Sequence, residues 1–383
     1  MIYVDNAATT QPSRKAVESA LLCMRSVWGN PSSIHSFGQQ AAGFLQDARK
    51  RIAKQIGAKT NEIYFTSGGS EADNQAIVSA ALNGKEQGKK HIVSTKFEHH
   101  AVLHTLQKLE KSGFDIELLD VPEDGIINPF QVANAIRKDT CLVTIMYANN
   151  EIGTIQPITD IGAICKEKGV VFHTDAVQAV GHLPINVEEQ NINMLSFSAH
   201  KFHGLKGAGV LYAKQGIKLS NIIEGGSQEH GKRGGTENLP AIVGMAVALE
   251  EACDNLKETT KYTMRLRDML IEGLLKIPNC IINGDLENRL SGNVNASFDG
   301  IEGESLLLLL NEKEIYASTG SACTSGSVEP SHVLSAIGRN WETANASIRF
   351  SLCEQNTEEE VKTIIETVTG LVAYLRELKG YKV

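Results

Sequence analysis

Hydrophobic and polar positions form two alternating kinds of segment between about residue 60 and residue 215. Short runs rich in β-branched and aromatic residues predict buried strands, and the amphipathic segments between several of them predict helices. Helices are expected from near Glu71, over about 99–112 and over 158–169. The predicted strands are EIYFTS (62–67), HIVST (91–95), DIELLD, CLVTIMY, VVFHTDA, MLSFSAH and GVLYAKQ. This alternation predicts an α/β fold with a mostly parallel sheet flanked by helices, and with ligands at the carboxyl ends of its strands.

The pattern changes after residue 238. A long helical stretch covers 238–276, and the shorter strands CIING, NVNASF, IYASTG and SIRFSLC follow with helices between them. Thr357 and Glu360 have the spacing of a capping box, which predicts the start of the last helix. We therefore expect a smaller α+β domain, formed by residues 1–14 and 256–383, beside a large domain of residues 15–255.

Composition and charge narrow the possible roles of the chain. Its 383 residues are 42% hydrophobic, which is ample for a sizeable core, and the net charge of −8 gives no support for direct nucleic-acid binding. The longest apolar run, Leu306–Leu310, is too short to cross a membrane, and the N-terminus does not have the pattern of a signal peptide. Seven scattered cysteines without paired spacing favour a reducing cytoplasm.

Two polar clusters follow predicted strands and suit a charged, ring-containing ligand. TSGGSEADN (66–74) combines glycines and hydroxyls with a helix start, and this combination suits a phosphate or a plain helix cap. In HTDAVQ (173–178), Asp175 at a strand end is placed either to pair with a protonated ring nitrogen or to cap a helix. Each cluster by itself leaves both interpretations open.

Two further clusters contain histidine and lysine. KFEHHAV (96–102) places His99 after a strand, where it either stacks on a ring or lies at the surface. No spaced cysteine or carboxylate accompanies the histidine pair in this cluster, so we expect no metal. SFSAHKFHG adds Ser198, His200 and Lys201 at the end of a buried strand. Burying an ammonium group there costs desolvation free energy, so we expect the lysine to have a function. Together the four clusters match the needs of pyridoxal phosphate: a lysine, an acid for the ring nitrogen and a phosphate anchor.

Long stretches of the chain, in family order, resemble the cysteine desulfurases, which lie within the class V branch of the fold-type I pyridoxal-phosphate enzymes. The resemblance runs from YVDNAATT near the start to SIRFSL near the end. It implies the fold-type I transferase fold and a homodimer. The matching stretches are GNPSSIHSFG, TSGGSEADN, EHHAVLH, NNEIGTIQPI, HTDAVQAVG, SFSAHK, RGGTEN and STGSACTSGSVEPSHVL.

The resemblance also implies roles for individual residues around the cofactor. Lys201 would hold pyridoxal phosphate and remove the substrate's α-proton, and His99 would stack on the ring. Asp175 would pair with the ring nitrogen, and Gln178 would bind the ring oxygen. The phosphate would be surrounded by Gly69, Ser70, Ser198 and His200.

The resemblance implies further roles near the substrate and the neighbouring subunit. Thr236 of RGGTEN would reach the phosphate of the neighbouring subunit. Arg349 would grip the substrate carboxylate, since an arginine fork suits that group. Asn150 would lie by the cofactor and the substrate, and Asn30 is a weaker candidate for the same region.

A pyridoxal-phosphate site of this kind supports several reactions, and the presence of Cys323 distinguishes between them. It lies in TGSACTSGS, within a predicted loop at about 318–330 that has no apolar periodicity, and is therefore a candidate nucleophile. The resemblance implies that L-cysteine is converted to L-alanine and that Cys323 keeps the sulfur as a persulfide. The sulfur would then pass to an acceptor protein, either an iron–sulfur scaffold or a tRNA-thiolating enzyme.

Two other functions stay open at this point. A selenocysteine lyase or another class V aminotransferase-like enzyme would need the same cofactor residues but not Cys323. A non-catalytic sulfur-relay or scaffold-binding protein would need neither Lys201 nor Asp175. The acceptor is open as well, because the chain ends soon after its last helix whereas some members of the family continue with a tail that helps to dock the scaffold.

Overall fold

The computed structural model describes residues 1–319 and 330–381. Within these ranges strands and helices alternate through most of the chain, as the pattern predicts. The elements are β1 (Ile2–Tyr3), α1 (Arg14–Ser26), α2 (Ser36–Gln55), β2 (Ile63–Thr66), α3 (Gly69–Glu86), β3 (His91–Thr95), α4 (His100–Glu110), β4 (Asp115–Leu119), α5 (Pro129–Ala135), β5 (Thr140–Thr144), α6 (Ile158–Lys168), β6 (Val171–Asp175), β7 (Met194–Ser198), β8 (Gly209–Ala213), α7 (Gln228–Gly231), α8 (Leu239–Asp254), α9 (Leu256–Leu274), β9 (Cys280–Ile282), β10 (Asn293–Phe298), α10 (Gly303–Glu312), β11 (Ile315–Tyr316), α11 (His332–Ala336), α12 (Trp341–Asn345), β12 (Ser347–Ser351) and α13 (Glu358–Leu378).

The large sheet has seven strands in the order β2-β8-β7-β6-β5-β3-β4. Only β8 runs antiparallel to its neighbours, so the prediction of a mostly parallel sheet is confirmed. β6 and β7 are adjacent and parallel, so Asp175 and Ser198 lie at the same edge of the sheet. This edge is where a ligand was expected.

The loop before α3 lies close to the start of β8. A Cβ at Gly209 would come within 2.6 Å of the Gly68 backbone, so only glycine permits this approach. α3 then packs along β5, β6, β7 and β8. Its first residues, Gly69 and Ser70, are thereby placed at the same edge of the sheet as Asp175.

The C-terminal part forms a second, smaller layer. β12, β10 and β9 make an antiparallel sheet, and β1 pairs with β11, which brings the N-terminus to this layer. A separate hydrophobic core underlies the layer and includes Val4, while side chains of α11 and α12 pack into the core of the large sheet. The predicted fold class is confirmed, while the domain boundaries at residues 14/15 and 255/256 stay a prediction.

The long helical stretch of 238–276 is two helices, α8 and α9, rather than one. Asn255 lies between them with φ −98° and ψ 2°, outside helical geometry, and its side chain donates to the Glu251 carbonyl. Asparagine side chains compete in this way for backbone groups and interrupt helices. The capping box at Thr357 and Glu360 is present at the start of α13, as predicted. Within the described ranges, no helix combines the length and the apolar character needed to cross a membrane.

A buried ion pair fixes the segment between β8 and α8. Both terminal nitrogens of Arg49, on α2, donate to the Glu229 carboxylate at 2.7 Å, and the Phe65 amide donates to the same carboxylate. Glu229 has φ 48°, a left-handed conformation that costs free energy and needs such contacts to persist. The segment that carries Thr236 is therefore anchored to α2 and β2.

Replacing Arg49 with alanine should lower the free energy of unfolding by about 3–5 kcal/mol, because the Glu229 charge would remain buried without a partner. Arg51 on the same helix provides the matched control, since its pair with Glu250 is partly exposed. Arg51→Ala should cost less than about 1 kcal/mol. Urea unfolding of both variants measures the difference, and equal losses would contradict a special role for the buried pair.

Candidate active site

A cavity of about 410 Å³ opens at the carboxyl ends of β6 and β7. Its lining comes from both sheets and from the N-terminal segment. Ten of the residues singled out from the sequence line it: Gly69, Ser70, His99, Asn150, Asp175, Gln178, Ser198, His200, Lys201 and Arg349. Stretches that are far apart in the sequence thus meet around one space.

Lys201 lies in a short 3₁₀ turn, Ala199–Lys201, directly after β7. Its Nζ donates to the carbonyl oxygens of Ala7 at 2.6 Å and Ala8 at 3.0 Å. Thr10 donates to the His200 carbonyl from both its amide and its hydroxyl at 2.9 Å. The N-terminal segment therefore orients the lysine and supports the turn that carries it.

Asp175 ends β6 and is buried at the floor of the cavity. Its Oδ1 accepts the Val177 amide at 2.9 Å. Burial raises its pKa to about 6, while the Val177 amide and the Lys201 charge act in the opposite direction. A cationic ring nitrogen beside it would favour the charged carboxylate in the same way that Lys201 does.

Asp73, on α3, is a second buried carboxyl in the cavity lining. Burial raises its pKa well above the ordinary value, and the nearby Asp175 adds to the effect. Its Oδ1 has no hydrogen-bond partner among the described residues. No role was predicted for Asp73, although it lies within the stretch TSGGSEADN that suits a phosphate.

His99 is the N-cap of α4, and its Nδ1 accepts the Ala101 amide at 3.1 Å. Burial lowers its pKa to about 4, and the Lys201 charge contributes in the same direction. At neutral pH the ring is therefore uncharged, with its proton on Nε2. Such a ring is suited to stacking on an aromatic cofactor and to donating a hydrogen bond.

One end of the cavity is formed by the start of α3 together with Ser198 and His200, the residues predicted to surround a phosphate. The first amides of a helix have no intrahelical partners and attract anions. A Cβ at Gly69 would lie 2.5 Å from the Val177 side chain, so the helix start is close to the strand ends only because this residue is glycine. His200 Nδ1 lies 3.2 Å from the Thr9 hydroxyl, and burial lowers its pKa to about 4.

Arg349 enters the cavity from β12 of the smaller sheet. Its Nη2 donates to Asp5 Oδ1 at 2.8 Å, and its Nη1 donates to the Asn150 carbonyl at 3.0 Å. Its Nε is buried and has no hydrogen-bond partner among the described residues. An unpaired guanidinium N–H at a cavity wall is suited to a carboxylate ligand.

Two of the described residues that were predicted for the site do not line this cavity. Thr236 is exposed and lines a different space of about 240 Å³ with Ser67 and Arg233. Asn30 is exposed, and its Oδ1 accepts the Ser32 amide in a turn. Cys323 and residues 320–329 lie outside the described residues.

Other residues of the lining were missed by the sequence analysis. Ala7 and Ala8 belong to the quoted stretch YVDNAATT, but nothing in the local pattern shows that their carbonyls face a lysine. Met146 and Ala148 follow β5 and close the cavity beside Asn150. Their positions at a strand end were the only available signal.

The donor set of the cavity fits pyridoxal phosphate. It combines a lysine amine, a buried carboxyl at a distance from the helix start, a neutral imidazole and an anion-binding helix terminus. These groups are the ones that the cofactor's aldehyde, ring nitrogen, ring face and phosphate require.

Glu98 is a third buried carboxyl and directly precedes His99. Its Oε1 accepts the Thr95 hydroxyl at 2.6 Å and the Met146 amide at 3.0 Å, whereas its Oε2 has no hydrogen-bond partner among the described residues. Burial raises its pKa from 4.5 to about 8, despite the hydrogen bonds. Folding at neutral pH therefore takes up a proton at this site.

Glu98→Gln should flatten part of the pH dependence of stability. The folded pKa of Glu98 is raised, so its contribution favours folding below pH 4.5 and is progressively lost as the pH rises from 4.5 to about 8. A neutral amide removes this loss. Thermal midpoints measured between these pH values should fall less in the variant than in the unmodified protein, whereas a control change at exposed Glu110 should leave the slope unaltered. Equal slopes in all three proteins would show that Glu98 is ionised in the folded state.

Comparison with known proteins gives a consistent result over nearly the whole chain. The family model described as aminotransferase class V matches residues 2–364. A protein from Methanosarcina thermophila named cysteine desulfurase IscS is 51% identical over 377 residues, covering 98% of this chain and 93% of the relative.

Two solved structures are also similar. One described as a NifS-like protein has a TM-score of 0.92 and 38% identity, with coverage of 98% of this chain and 100% of that one. Another, described as SspA in complex with cysteine, has a TM-score of 0.82 and 37% identity and covers 92% and 99% of the two chains.

Proposed function

We propose that the cavity and Cys323 together remove sulfur from L-cysteine. The premise is that this chain belongs to the cysteine desulfurases of the class V aminotransferase family. The enzyme activity and the use of pyridoxal phosphate follow from the family, whereas the assignment of each residue is our proposal. The observation that carries the assignment is that Lys201, Asp175 and Arg349 line one cavity although they belong to three separate parts of the chain: the turn after β7, the end of β6 and the middle of β12.

Lys201 would hold the cofactor, with Asp175 at the ring nitrogen, His99 on the ring face and Gln178 at the ring oxygen. Ser70, Ser198 and His200 would surround the phosphate at the start of α3, with Gly69. When bound, pyridoxal phosphate withdraws electrons from the substrate's Cα and so makes its proton removable. A charged Asp175 strengthens this withdrawal because it keeps the ring nitrogen protonated.

Lys201 is the base for the Cα proton once its amine is released. The carbonyls of Ala7 and Ala8 lie within hydrogen-bond distance of Nζ and keep the amine near the cavity floor. Arg349 and Asn150 would hold the substrate carboxylate. The contacts of Arg349 with Asp5 and the Asn150 carbonyl orient the guanidinium before substrate arrives, which lowers the cost of binding.

Cys323 is proposed as the sulfur acceptor. Its thiolate would attack the substrate sulfur, forming an S–S bond as the substrate C–S bond breaks, and L-alanine would leave. The six other cysteines do not line the cofactor cavity. Burial raises the pKa of Cys141, Cys253 and Cys353 to about 11 and that of Cys165 and Cys280 to about 12, and it also raises the pKa of Cys23. These thiols would therefore supply little thiolate at neutral pH.

Cys323→Ser should retain bound cofactor but lose alanine formation and persulfide, because the attacking thiolate is gone. The first measurement is alanine release from L-cysteine without added reductant, together with the intact mass. The unmodified enzyme should release alanine and gain one sulfur on the peptide that contains Cys323. Cys280→Ser, which removes a thiol from β9, should behave like the unmodified enzyme.

Full alanine production by the Cys323→Ser variant would contradict this role. It would instead favour a reaction in which sulfur leaves the substrate directly, as expected for a lyase. No alanine and no mass gain from unmodified enzyme that contains pyridoxal phosphate would contradict the proposed reaction at this site.

We infer that the enzyme acts as a homodimer in which Thr236 completes the phosphate site of the partner subunit. Within its own chain Thr236 is exposed and lines a space other than the cofactor cavity. The segment that carries it is nevertheless held firmly by the Arg49–Glu229 pair and by Arg233, which contacts Glu71 at the start of α3. A rigid, outward-facing hydroxyl is suited to a site formed across a subunit interface.

Mixing two inactive or weakened variants tests the shared site. Lys201→Ala chains lack the cofactor lysine, and Thr236→Ala chains should bind cofactor more weakly. A mixed dimer would contain one site with Lys201 from one chain and Thr236 from the other. Activity and cofactor retention should therefore recover after the variants are denatured and refolded together.

A failure to recover, from a mixture shown by mass to contain mixed dimers, would place Thr236 in the site of its own chain or in none. Sedimentation of the unmodified enzyme provides the control, because a monomer would exclude a shared site.

We propose further that the persulfide passes in the cytoplasm to an iron–sulfur scaffold or to a tRNA-thiolating enzyme. Measuring the transfer of labelled sulfur to each of these acceptors would distinguish between them.

A further inference from the structure

A second group of reactive side chains lies behind the lysine turn. Among residues 1–319 and 330–381, His203, Cys353 and Glu354 are the one group of three or more histidine, cysteine or acidic side chains whose ligand atoms converge. These atoms all lie within 4.8 Å of one another. Cys353 is buried and Glu354 is exposed, so the group is open to solvent on one side.

The group joins the two elements that carry the main cofactor and substrate residues. His203 comes two residues after Lys201, while Cys353 and Glu354 follow shortly after the end of β12, the strand of Arg349. His203 Nε2 lies 3.2 Å from Glu354 Oε1. The contact therefore bridges the large sheet and the smaller sheet.

The position of His203 is fixed by backbone contacts. Its Nδ1 lies 2.8 Å from the Gln11 carbonyl, which can only accept, so Nδ1 carries a proton. Its amide donates to the Thr10 hydroxyl at 2.8 Å. A metal-binding histidine commonly donates one ring N–H to a carbonyl in this way, since the contact aims the other nitrogen at the metal.

We propose that His203, Cys353 and Glu354 bind one divalent metal ion of the zinc class. Thiolate, imidazole and carboxylate are the three side-chain ligand types that Zn²⁺ uses, and a tetrahedral ion with three such ligands keeps a fourth position for water. Mg²⁺ and Ca²⁺ are disfavoured because they prefer ligand sets made of oxygen alone. No local pattern predicts this site, because His203 is 150 residues away from Cys353 along the chain.

Metal binding would replace the proton of the Cys353 thiol, since Zn²⁺ binds the thiolate form. The imidazole of His203 would bind through Nε2, so a proton on this nitrogen would leave as well.

The site is placed to stabilise the active-site geometry without taking part in the chemistry. An adjoining cavity of about 310 Å³ is lined by His182, His203 and Glu354. His182 Nε2 lies 2.9 Å from the Lys201 carbonyl. A metal ion here would tie the lysine turn to the end of β12, and bound metal should raise the thermal midpoint of the holoenzyme.

Cobalt binding gives the sharpest test, because a thiolate–Co²⁺ bond has its own charge-transfer absorption. The holoenzyme is used in a Cys323→Ser background, which removes the other candidate thiol, after treatment with a chelator. One equivalent of Co²⁺ should bind per chain, with a sulfur charge-transfer band and the visible bands of a tetrahedral ion. Elemental analysis with Zn²⁺ should give the same stoichiometry.

Adding Cys353→Ser should abolish the sulfur band, whereas adding Cys280→Ser, a matched loss of one partly buried thiol, should leave it intact. His203→Gln and Glu354→Gln should each weaken Co²⁺ binding by at least about tenfold, a loss of about 1.4 kcal/mol. These two variants keep the thiol and test the site even where the serine variant does not fold.

The proposal is overturned by a sulfur band that persists without Cys353, or by the absence of stoichiometric metal. It is also overturned by binding that has no sulfur band and depends on His100, His104 and His332 instead. The rings of these three histidines lie 4.6 and 5.0 Å apart around His100 at the start of α4. Since the test measures metal rather than alanine, its failure is distinguishable from a failure of the proposed reaction.

Discussion

The N-terminal segment, residues 5–11, holds together the two layers whose relative position defines the active site. Asp5 pairs with Arg349, and the amide and side chain of Asn6 both bond to the Ser351 carbonyl. Directly after Asn6, the carbonyls of Ala7 and Ala8 accept from Lys201. One short stretch, which turns at residues 6–8, thus contacts both the lysine of the large sheet and the arginine of the smaller sheet. The proposed reaction places these two groups on one substrate, so its geometry would depend on this segment.

The same segment also supports the proposed metal site. Thr10 holds the backbone of His203, and the Gln11 carbonyl fixes the tautomer of its ring. On the other side of the contact between His203 and Glu354, Cys353 and Glu354 follow shortly after the end of β12. The proposed ion would therefore reinforce a connection that hydrogen bonds already make, and it would do so beside Lys201 rather than within the cofactor cavity.

The cavity and the residues next to it include buried groups whose ionisation is opposed by desolvation. Burial raises the pKa of Asp175 to about 6 and that of Glu98 to about 8, while it lowers that of His99 to about 4. The uncharged imidazole of His99, the protonated carboxyl of Glu98 and the carboxyl of Asp175, which a nearby cation would ionise, can therefore coexist in a small volume. This arrangement favours a cofactor with a cationic ring and an anionic phosphate, because Asp175 is suited to pair with the cation and the start of α3 is suited to bind the anion.

The sequence by itself predicted most of the strands and helices and the polar clusters that carry His99, Asp175, Ser198, His200 and Lys201, because periodic burial and strand-end polar clusters are local signals. The resemblance to the cysteine desulfurases added Asn150, Arg349 and the roles of the individual cavity residues. Only the tertiary structure decided that Asp5 orients Arg349, that Asn255 divides the long helical stretch, and that Thr236 does not line the cavity of its own chain. Only the tertiary structure also brought His203 to Cys353 and Glu354. The physical reason is that a periodic pattern records which side of an element is buried, whereas contacts between distant segments depend on how the elements pack.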